Sequence, residues 1–381
     1  MIVVLMIQLN ILAFAALVFT ARKLLRAYRH YRYRVIEFPK LSADELPAVS
    51  VCLPARNENG SMTDCLESVL ASDYPKLEII VLDDDSSDNT SNLIKAFAHS
   101  GVRFVQGAVL PEGWLGKNYA LHTLLEEASG RYVLFMDVDT RLSTTTISQL
   151  VAHVIARDRD MVSVIPQRYD TYRPSAWMGT LRFFWELLLD SPRRPGSSAA
   201  LWMVNRHFLS DELRGFESWR DQIQPELYIA RECLRRHGYT LLVSTPALGV
   251  SFAKKWSSQV ESARRMLLPG FYNSTLGVLV GVGMLLAIIL PQVAWIVAVL
   301  EGNWLLFAAE FVLAVFLAGV SAAYFGLVWR SRRVIGVLLT PWIAWQELWL
   351  LIASAIGYRM GTITWKGRPV GRPPKQRTVV D

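Results

Sequence analysis

The sequence predicts an α/β fold, a Rossmann-like and mostly parallel sheet flanked by helices, with transmembrane helices at its N- and C-terminal ends. Three observations predict it. Strand-like runs alternate with helix-like runs between residues 48 and 139, which argues for a parallel sheet covered on both faces. Two of those strands end in clusters of carboxylates. Apolar stretches long enough to cross a bilayer occupy residues 1–19 and most of 268–358.

The first strand is Ala48-Val-Ser-Val-Cys-Leu-Pro-Ala-Arg-Asn-Glu58, an apolar run broken by Pro54 and followed by polar residues. A helical pattern follows around Asp64 to Leu70. The second strand, Leu77 to Leu82, runs into Asp83-Asp-Asp-Ser-Ser-Asp-Asn-Thr90, a carboxylate cluster that doubles as a helix-start signal. Asp88 reads as the N-cap of that helix, and Asp83 to Asp85 read either as ligand-binding acids or as a plain acidic turn. A third strand spans Val102 to Gln106. The fourth, Val133-Leu-Phe-Met-Asp-Val-Asp139, ends in two carboxylates two residues apart. Successive side chains of an extended chain alternate faces, so Asp137 and Asp139 are expected on one side. Open α/β sheets bind ligands at the carboxyl ends of their strands, and paired hard oxygen donors there suit a divalent cation that also holds phosphate oxygens. So many acids at one edge repel unless a cation or donor-rich ligand offsets them.

These motifs, in this order, resemble glycosyltransferase family 2, the inverting sugar-nucleotide enzymes with the GT-A fold. The resemblance rests on Leu53-Pro-Ala-Arg-Asn-Glu58, on Asp83-Asp-Asp-Ser-Ser-Asp88 and on Asp137-Val-Asp139, with Asp85 where the family usually has glycine. Pro111-Glu-Gly-Trp-Leu-Gly-Lys-Asn-Tyr-Ala-Leu121 looks like the Gly-Trp-x-Gly-Lys stretch of the branch that glycosylates membrane lipids, such as hopanoid-associated, carotenoid and ceramide transferases. The likeness covers roughly residues 47 to 250. It implies that Pro54, Arg56 and Glu58 line the nucleotide pocket, that Asp83 and Asp84 hold base and ribose, and that Lys117 meets the diphosphate or sugar. It further implies that Asp139 binds Mg²⁺ or Mn²⁺ directly, with Asp137 bridging to ribose or metal. The donor it implies is a nucleotide-diphosphate sugar, a UDP-sugar first among them. Independently, an ammonium beside a loop glycine offers charge to phosphate, although Lys117 alone also reads as a solvated loop lysine.

An inverting transfer needs a general base on the acceptor hydroxyl. The family supplies an aspartate from Glu-Asp at a helix start after a Gly-Gly-Phe-like turn. Here the stretch is Arg214-Gly-Phe-Glu-Ser-Trp-Arg-Asp-Gln-Ile-Gln-Pro-Glu226-Leu-Tyr-Ile-Ala-Arg231, which puts Glu226 at the aspartate position and Pro225 at the glutamate position. Pro225 suits the first turn of a helix. Glu226 is therefore the expected base and Asp221 the fallback. A glutamate merely favoured by the helix dipole is the alternative.

Composition bounds the rest. The chain has 381 residues, 52% of them apolar, and a formal net charge of +7, enough for one large α/β domain plus membrane segments. Its cysteines, Cys52, Cys65 and Cys233, lack metal-ligand spacing and are odd in number, so reduced structural cysteines are expected. The order expected is an N-terminal anchor at 1–21, a basic juxtamembrane segment at 22–46, a cytosolic GT-A domain at 47–265, a C-terminal membrane region at 268–358 and a basic tail at 359–381. The anchor carries no charge and no cleavage signal, and the basic residues from Arg22 to Arg34 mark the cytoplasmic side. Their mixture with aromatics favours a membrane interface over nucleic acid. Glu301-Gly-Asn303 splits 268–329 into a two-span hairpin, and Arg330 to Arg333 return the chain to the cytoplasm. Residues 334–358, with Pro341, Glu347 and three tryptophans, read as a third span or as an interfacial or re-entrant helix. The apolar segment 174–190 reads as an interfacial helix or a core helix. The basic loop 192–196 reads as a headgroup contact or a solvated loop.

The function expected is therefore an integral membrane glycosyltransferase of a bacterial plasma membrane, working at the cytosolic bilayer face. It would move a sugar with inversion onto a membrane lipid, without nucleic-acid partners. Two alternatives are a short polysaccharide or oligosaccharide synthase, and a membrane scaffold with a degenerate transferase domain, for which Pro225-Glu226 in place of Glu-Asp is the argument. Lys254 to Arg265 lacks the Gln-x-x-Arg-Trp spacing of processive relatives, which counts against the synthase.

Overall fold

The computed structural model describes residues 2–36, 44–169, 181–271 and 273–370. The described residues fall into two compact units, one formed by 31–169 and 189–253, the other by 2–30, 181–188 and 254–370.

The first unit is built on a seven-stranded sheet. Its strands are β1 (Val49–Ala55), β2 (Leu77–Asp83), β3 (Val102–Gln106), β4 (Tyr132–Met136), β6 (Met161–Ile165), β8 (Leu201–Asn205) and β9 (Tyr239–Val243), in the order β3-β2-β1-β4-β8-β6-β9. β3, β2, β1 and β4 are mutually parallel, as expected of strands joined through helices. β8 is the exception, running antiparallel between β4 and β6. The helices are α2 (Met62–Leu70), α3 (Thr90–Ala96), α4 (Gly116–Glu127), α5 (Thr146–Arg157) and α7 (Pro225–Arg235). α2 buries Met62, Cys65, Leu66 and Val69, one helical face against the sheet. The two-residue strands β5 (Thr140–Arg141), β7 (Gln167–Arg168) and β10 (Ser251–Phe252) form a small second sheet just beyond the carboxyl end of β4.

β1 and β4 are buried along nearly their whole length, which is why they read as continuous apolar runs rather than alternating ones. Register sets the functional edge: Ala55 pairs with Asp83, and Cys52 with Phe135, so the carboxyl ends of β1, β2 and β4 lie together. All three cysteines are free and buried, and burial pushes their thiols up. The end of the basic juxtamembrane run does not simply face a membrane. Arg32 bridges Val243, Tyr33 N–H donates to Val243 O at 2.9 Å, and Tyr31 Oη donates to Asp190 at 2.5 Å. In the 192–196 loop, Arg194 is buried rather than solvated.

His153 on α5 is buried, and neither ring nitrogen has a hydrogen-bond partner among the described residues. Burial, reinforced by Arg157 and Arg159, lowers its pKa to about 4. A histidine held neutral in the fold but free to protonate when unfolded stabilises fully above about pH 6.5, and that stability drains as pH falls toward 4. His153→Leu is expected to remove an acid sensitivity of about 2 kcal/mol between pH 7 and pH 5, read as a smaller drop in melting temperature over that interval than the wild type shows.

The second unit contains four helices long and apolar enough to cross a membrane. They are α1 (Ile2–Arg26), α9 (Thr275–Leu300), α10 (Trp304–Val328) and α11 (Arg333–Met360). The shorter α6 (Arg182–Leu188) and α8 (Trp256–Gly270) complete its helices, and β11 (Thr364–Trp365) pairs with β12 (Arg368–Pro369) as a hairpin. α9 and α10 are the expected hairpin about Glu301 to Asn303, with Asn303 Oδ1 capping α10 by accepting from Leu306 N–H. α1 lies parallel to α10: Phe14 meets Phe316, and Tyr28 sits by Gly326. The segment 174–190 resolves as a core helix over its described part, with Phe183, Phe184, Trp185 and Leu187 buried; residues 174–180 lie outside the described residues. It therefore belongs to the apolar unit, as do 254–265, and the predicted 47–265 domain is interrupted there.

α11 is one continuous helix through Pro341, not a re-entrant pair. Its contacts run across one end of the hairpin. Gly336 abuts Phe325 near the end of α10, and Leu351 approaches Gly281 in the second turn of α9. Between them, buried Glu347 accepts from Trp185 Nε1 at 2.8 Å and from Leu181 N–H at 3.2 Å. Trp185 in turn packs on Phe271, just before α9. Further along, Ser354 Oγ accepts from Leu268 N–H, and Tyr358 Oη donates to Arg265 O. From Gly336 to Tyr358 is about 33 Å of helix at 1.5 Å per residue, yet these partners cluster where α10 ends and α9 begins. The opposite face exposes Val334, Leu338, Trp342, Trp345, Trp349, Ile352 and Ile356, a stripe at three- and four-residue spacing.

Candidate functional site

The loops after β1 and β2 are zipped together. Asp84 N–H donates to Ala55 O, Asn57 N–H to Ser86 Oγ, Ser87 N–H to Asn57 Oδ1, and Glu58 N–H to Thr90 Oγ1. Arg56 reaches across the same gap, donating to the carbonyls of Asp84 and Asp85 and standing 3.7 Å from the Asp85 carboxylate. Pro54 and Glu58 are half-buried beside it. Asp85 adopts a left-handed φ of 56°, which explains why glycine is usual at this position and why aspartate is a tolerated substitute.

Asp83 is only 1% exposed, and its carboxylate accepts from Ser86 N–H, Ser86 Oγ and Ser91 Oγ. In this state Asp83 builds the loop, and Asp84 beside it is also buried. Asp88 acts close to its expected role: Oδ1 accepts from Thr90 N–H at 3.0 Å, although Asn89 holds the cap position. The loop closes over Gly107, whose N–H donates to Asp83 O at 2.9 Å; a Cβ there would stand 2.8 Å from that oxygen.

Asp137 and Asp139 follow β4 directly. They are half-buried whereas Val138 and Thr140 are buried, but the strand expected to reach Asp139 ends at Met136: Val138 and Asp139 form a turn closed by Thr140 N–H donating to Asp137 O at 3.0 Å. Asp137 N–H donates to Ala200 O, and Ala253 N–H donates to Asp139 O, so β8 and β10 hold the turn from both flanks. Arg141 clamps it from below, donating to Val138 O and Thr140 O at 2.8 Å and to Ser61 O at the start of α2. Lys117, second residue of α4, meets Asp137 Oδ1 at 2.5 Å, with both side chains less than one-fifth exposed.

Among the described residues no three His, Cys, Asp or Glu side chains gather as a metal cage. Two carboxylates beside an ammonium still fit a hard divalent cation that takes its remaining oxygens from a diphosphate and water, the usual state of Mg²⁺ at phosphate sites. Asp139 and Asp137 are the residues that would hold it.

Glu226 lies in the first turn of α7, after Pro225, and is 2% exposed. Asp221 is half-buried, and its carboxylate accepts from Gln222 Nε2. The loop before α7 is fastened to the start of α4. Leu115 N–H donates to Arg220 O, and the buried Asn118 Nδ2 reaches the carbonyls of Trp219, Arg220 and Gln222 at 2.7–3.1 Å. Phe216, fully buried, packs edge-on against Phe135 of β4 and Trp202 of β8. Gly215 has φ 67°, and a Cβ there would meet His122 Nδ1 at 2.8 Å. Lys117 and the Glu226 loop are thus carried on neighbouring residues of one helix start.

Asn118 and Arg141 are the positioning residues that sequence reading missed. Asn118 stands next to Lys117 inside the motif, but its partners are 101 to 104 residues away. Asn118→Asp keeps the size, removes the Nδ2 donors and turns a carboxylate toward three carbonyl oxygens. Hydrogen exchange of amides 219–222 is expected to speed up about 10- to 100-fold, matching the 1–3 kcal/mol cost of unsatisfied buried polar groups. Unchanged exchange would remove the latch.

Residues 50–211 match the sequence profile of Glycosyl transferase family 2. Over 113 residues the chain is 39% identical to the poly-beta-1,6-N-acetyl-D-glucosamine synthase of Staphylococcus aureus, covering 29% of this chain and 26% of that protein. Over 130 residues it is 32% identical to the probable glycosyltransferase YdaM of Bacillus subtilis, covering 32% and 31% respectively. The aligned part therefore spans less than a third of these relatives' length. Among solved structures, the mannosyltransferase PcManGT of Pyrobaculum calidifontis, in complex with GDP-Man and Mn²⁺, superposes with a TM-score of 0.54 at 20% identity, covering 92% of this chain and 97% of that one. That likeness is one of fold, and the fold is GT-A.

Proposed function

We propose, from a chain whose residues 50–211 match the sequence profile of Glycosyl transferase family 2, that this protein is an inverting glycosyltransferase moving a sugar from a nucleotide diphosphate to a lipid at the bilayer surface. The observation that carries the proposal is the contact of Lys117 with Asp137 beyond β4, two residues before Asp139, with Glu226 opening a helix whose preceding loop is latched to the start of α4. Asp139 and Asp137 would hold Mg²⁺ or Mn²⁺, which when bound would supply positive charge against the departing diphosphate. Lys117 offers three donors and trades part of its contact with Asp137 for phosphate oxygens. The Arg56 loop and Asp84 border the nucleoside, with Asp83 as the internal brace of that wall. Glu226 takes the proton from the acceptor hydroxyl as its oxygen attacks the anomeric carbon.

The membrane arrangement proposed with it has α1, α9 and α10 crossing the bilayer and α11 lying in its surface. The contacts of α11 with one end of the hairpin support this, as do its tryptophan stripe and the arginines at its two ends. Lys366 N–H donates to Glu261 of α8, and Arg265 stacks on Trp365, so the tail hairpin stays on the face from which α9 departs. Basic residues 22–34 and 330–333 identify that face as cytoplasmic, in a bacterial plasma membrane.

The test is nucleotide release from a panel of sugar nucleotides by detergent-purified protein with Mn²⁺, with and without a membrane lipid extract. Release that needs one donor and the extract, with one sugar added to a lipid by mass, is expected. The stretch 39% identical to a poly-beta-1,6-N-acetyl-D-glucosamine synthase favours a second reading, a polymer synthase. Products that lengthen with time would establish it instead.

A further inference from the structure

We propose that the groove between the first turns of α9 and the last turns of α11 binds one anionic phospholipid, its chain along α9 and its phosphate at Arg359. The cavity measures about 590 Å³, within the ordinary range for small-ligand sites. Val278 and Val282 of α9 form one wall, and Ile352 and Ala355 of α11 the other. Asn273, just before α9, and Arg359, in the last turn of α11, join Thr275 and Tyr358 as its polar lining. The lining combines apolar and polar groups, as a lipid does.

Two observations select the headgroup. The lining is cationic: Arg359 is its charged residue, and Tyr358 beside it donates to the carbonyl of Arg265. The neighbouring acid, Glu261, already accepts from Lys366 N–H. Asn273 Oδ1 is buried with no hydrogen-bond partner among the described residues. An acceptor without a partner in a cavity that a guanidinium also lines suits a ligand with hydroxyl donors next to an anionic phosphate, which describes the headgroup of phosphatidylglycerol. Leu279 and Ile356 are 62% and 49% exposed, so the groove opens sideways, where a lipid could enter from the bilayer. This binding does not depend on sugar transfer and is read without it.

Native mass spectrometry of the full chain in detergent, with added palmitoyl-oleoyl phosphatidylglycerol or the matching phosphatidylcholine, tests the proposal. One retained phosphatidylglycerol per chain is expected, with phosphatidylcholine held more weakly. Arg359→Gln, an exposed change that leaves the fold alone, should lower phosphatidylglycerol occupancy about fivefold and leave phosphatidylcholine unchanged. Ala355→Trp should fill the groove and abolish retention of both, with elution volume and Mn²⁺-dependent nucleotide binding reporting intact folding. Equal retention of the two lipids, no retention, or indifference to Arg359→Gln would overturn the assignment. Displacement of phosphatidylglycerol by a neutral lipid from the extract would overturn it too, making the groove a seat for that lipid.

Discussion

Asp139→Asn is expected to abolish Mn²⁺-dependent nucleotide binding and to cut transfer about 1,000-fold, roughly 4 kcal/mol of barrier. The amide keeps the shape of the side chain, and the turn is held by backbone bonds from Ala253 and Ala200 and by Arg141, so the fold should not change. What is lost is one of two charges available to a cation where no third acid stands by among the described residues. Asp137→Asn should do less damage to metal binding, because Asp137 already shares its charge with Lys117. It should weaken donor affinity by releasing Lys117 from its place. Calorimetric titration with nucleotide, with and without Mn²⁺, separates the two. Equal metal-dependent binding by Asp139→Asn and wild type would sink the assignment.

Glu226→Gln is expected to lower turnover by 10² to 10⁴ while leaving donor binding intact, since a general base acts on the acceptor and not on the nucleotide. The residue is 2% exposed at a helix start, where the dipole favours an anion and burial opposes one. Glu226→Asp restores the side chain usual in the resembling family and should recover part of the loss. A Glu226→Gln protein of normal turnover would hand the role to Asp221, or leave Glu226 as a helix-start acid. Comparing donor affinity with single-turnover rate in the same samples reads the difference directly.

Much of the catalytic edge was legible because it is local. Asp137 and Asp139 are two residues apart just after a strand that reads apolar because it is buried throughout, and the β1, β2 and β4 ends are each announced by a polar cluster right after the run. Asp85 at a usual glycine was visible as a departure, and its φ of 56° supplies the reason. Asp83 was less legible. Its sequence context says carboxylate at a strand end, but whether that carboxylate faces a ligand or braces its own loop depends on where Ser86 and Ser91 turn their hydroxyls.

The apolar segments divide in the same way. Hydropathy located all four long helices, and the Glu301 to Asn303 turn between two of them. It left residues 334–358 open between span and surface helix because hydropathy is a property of a segment, whereas orientation is a property of its partners. Glu347, an obstacle to a membrane reading in sequence, is satisfied by Trp185 and Leu181 from more than 160 residues away.

The sequence by itself determined the kinds of element, the order of the strands that carry acids and the chemistry available at their ends, since these follow from side-chain periodicity over a few residues. Tertiary structure alone decided that Asn118 ties the Glu226 loop to the helix of Lys117, that Phe216 anchors that loop on Phe135 and Trp202, and that α11 crosses the end of a hairpin. Each of these is a contact between residues from 11 to 102 positions apart. Their energy comes from burying groups whose partners the local pattern cannot name.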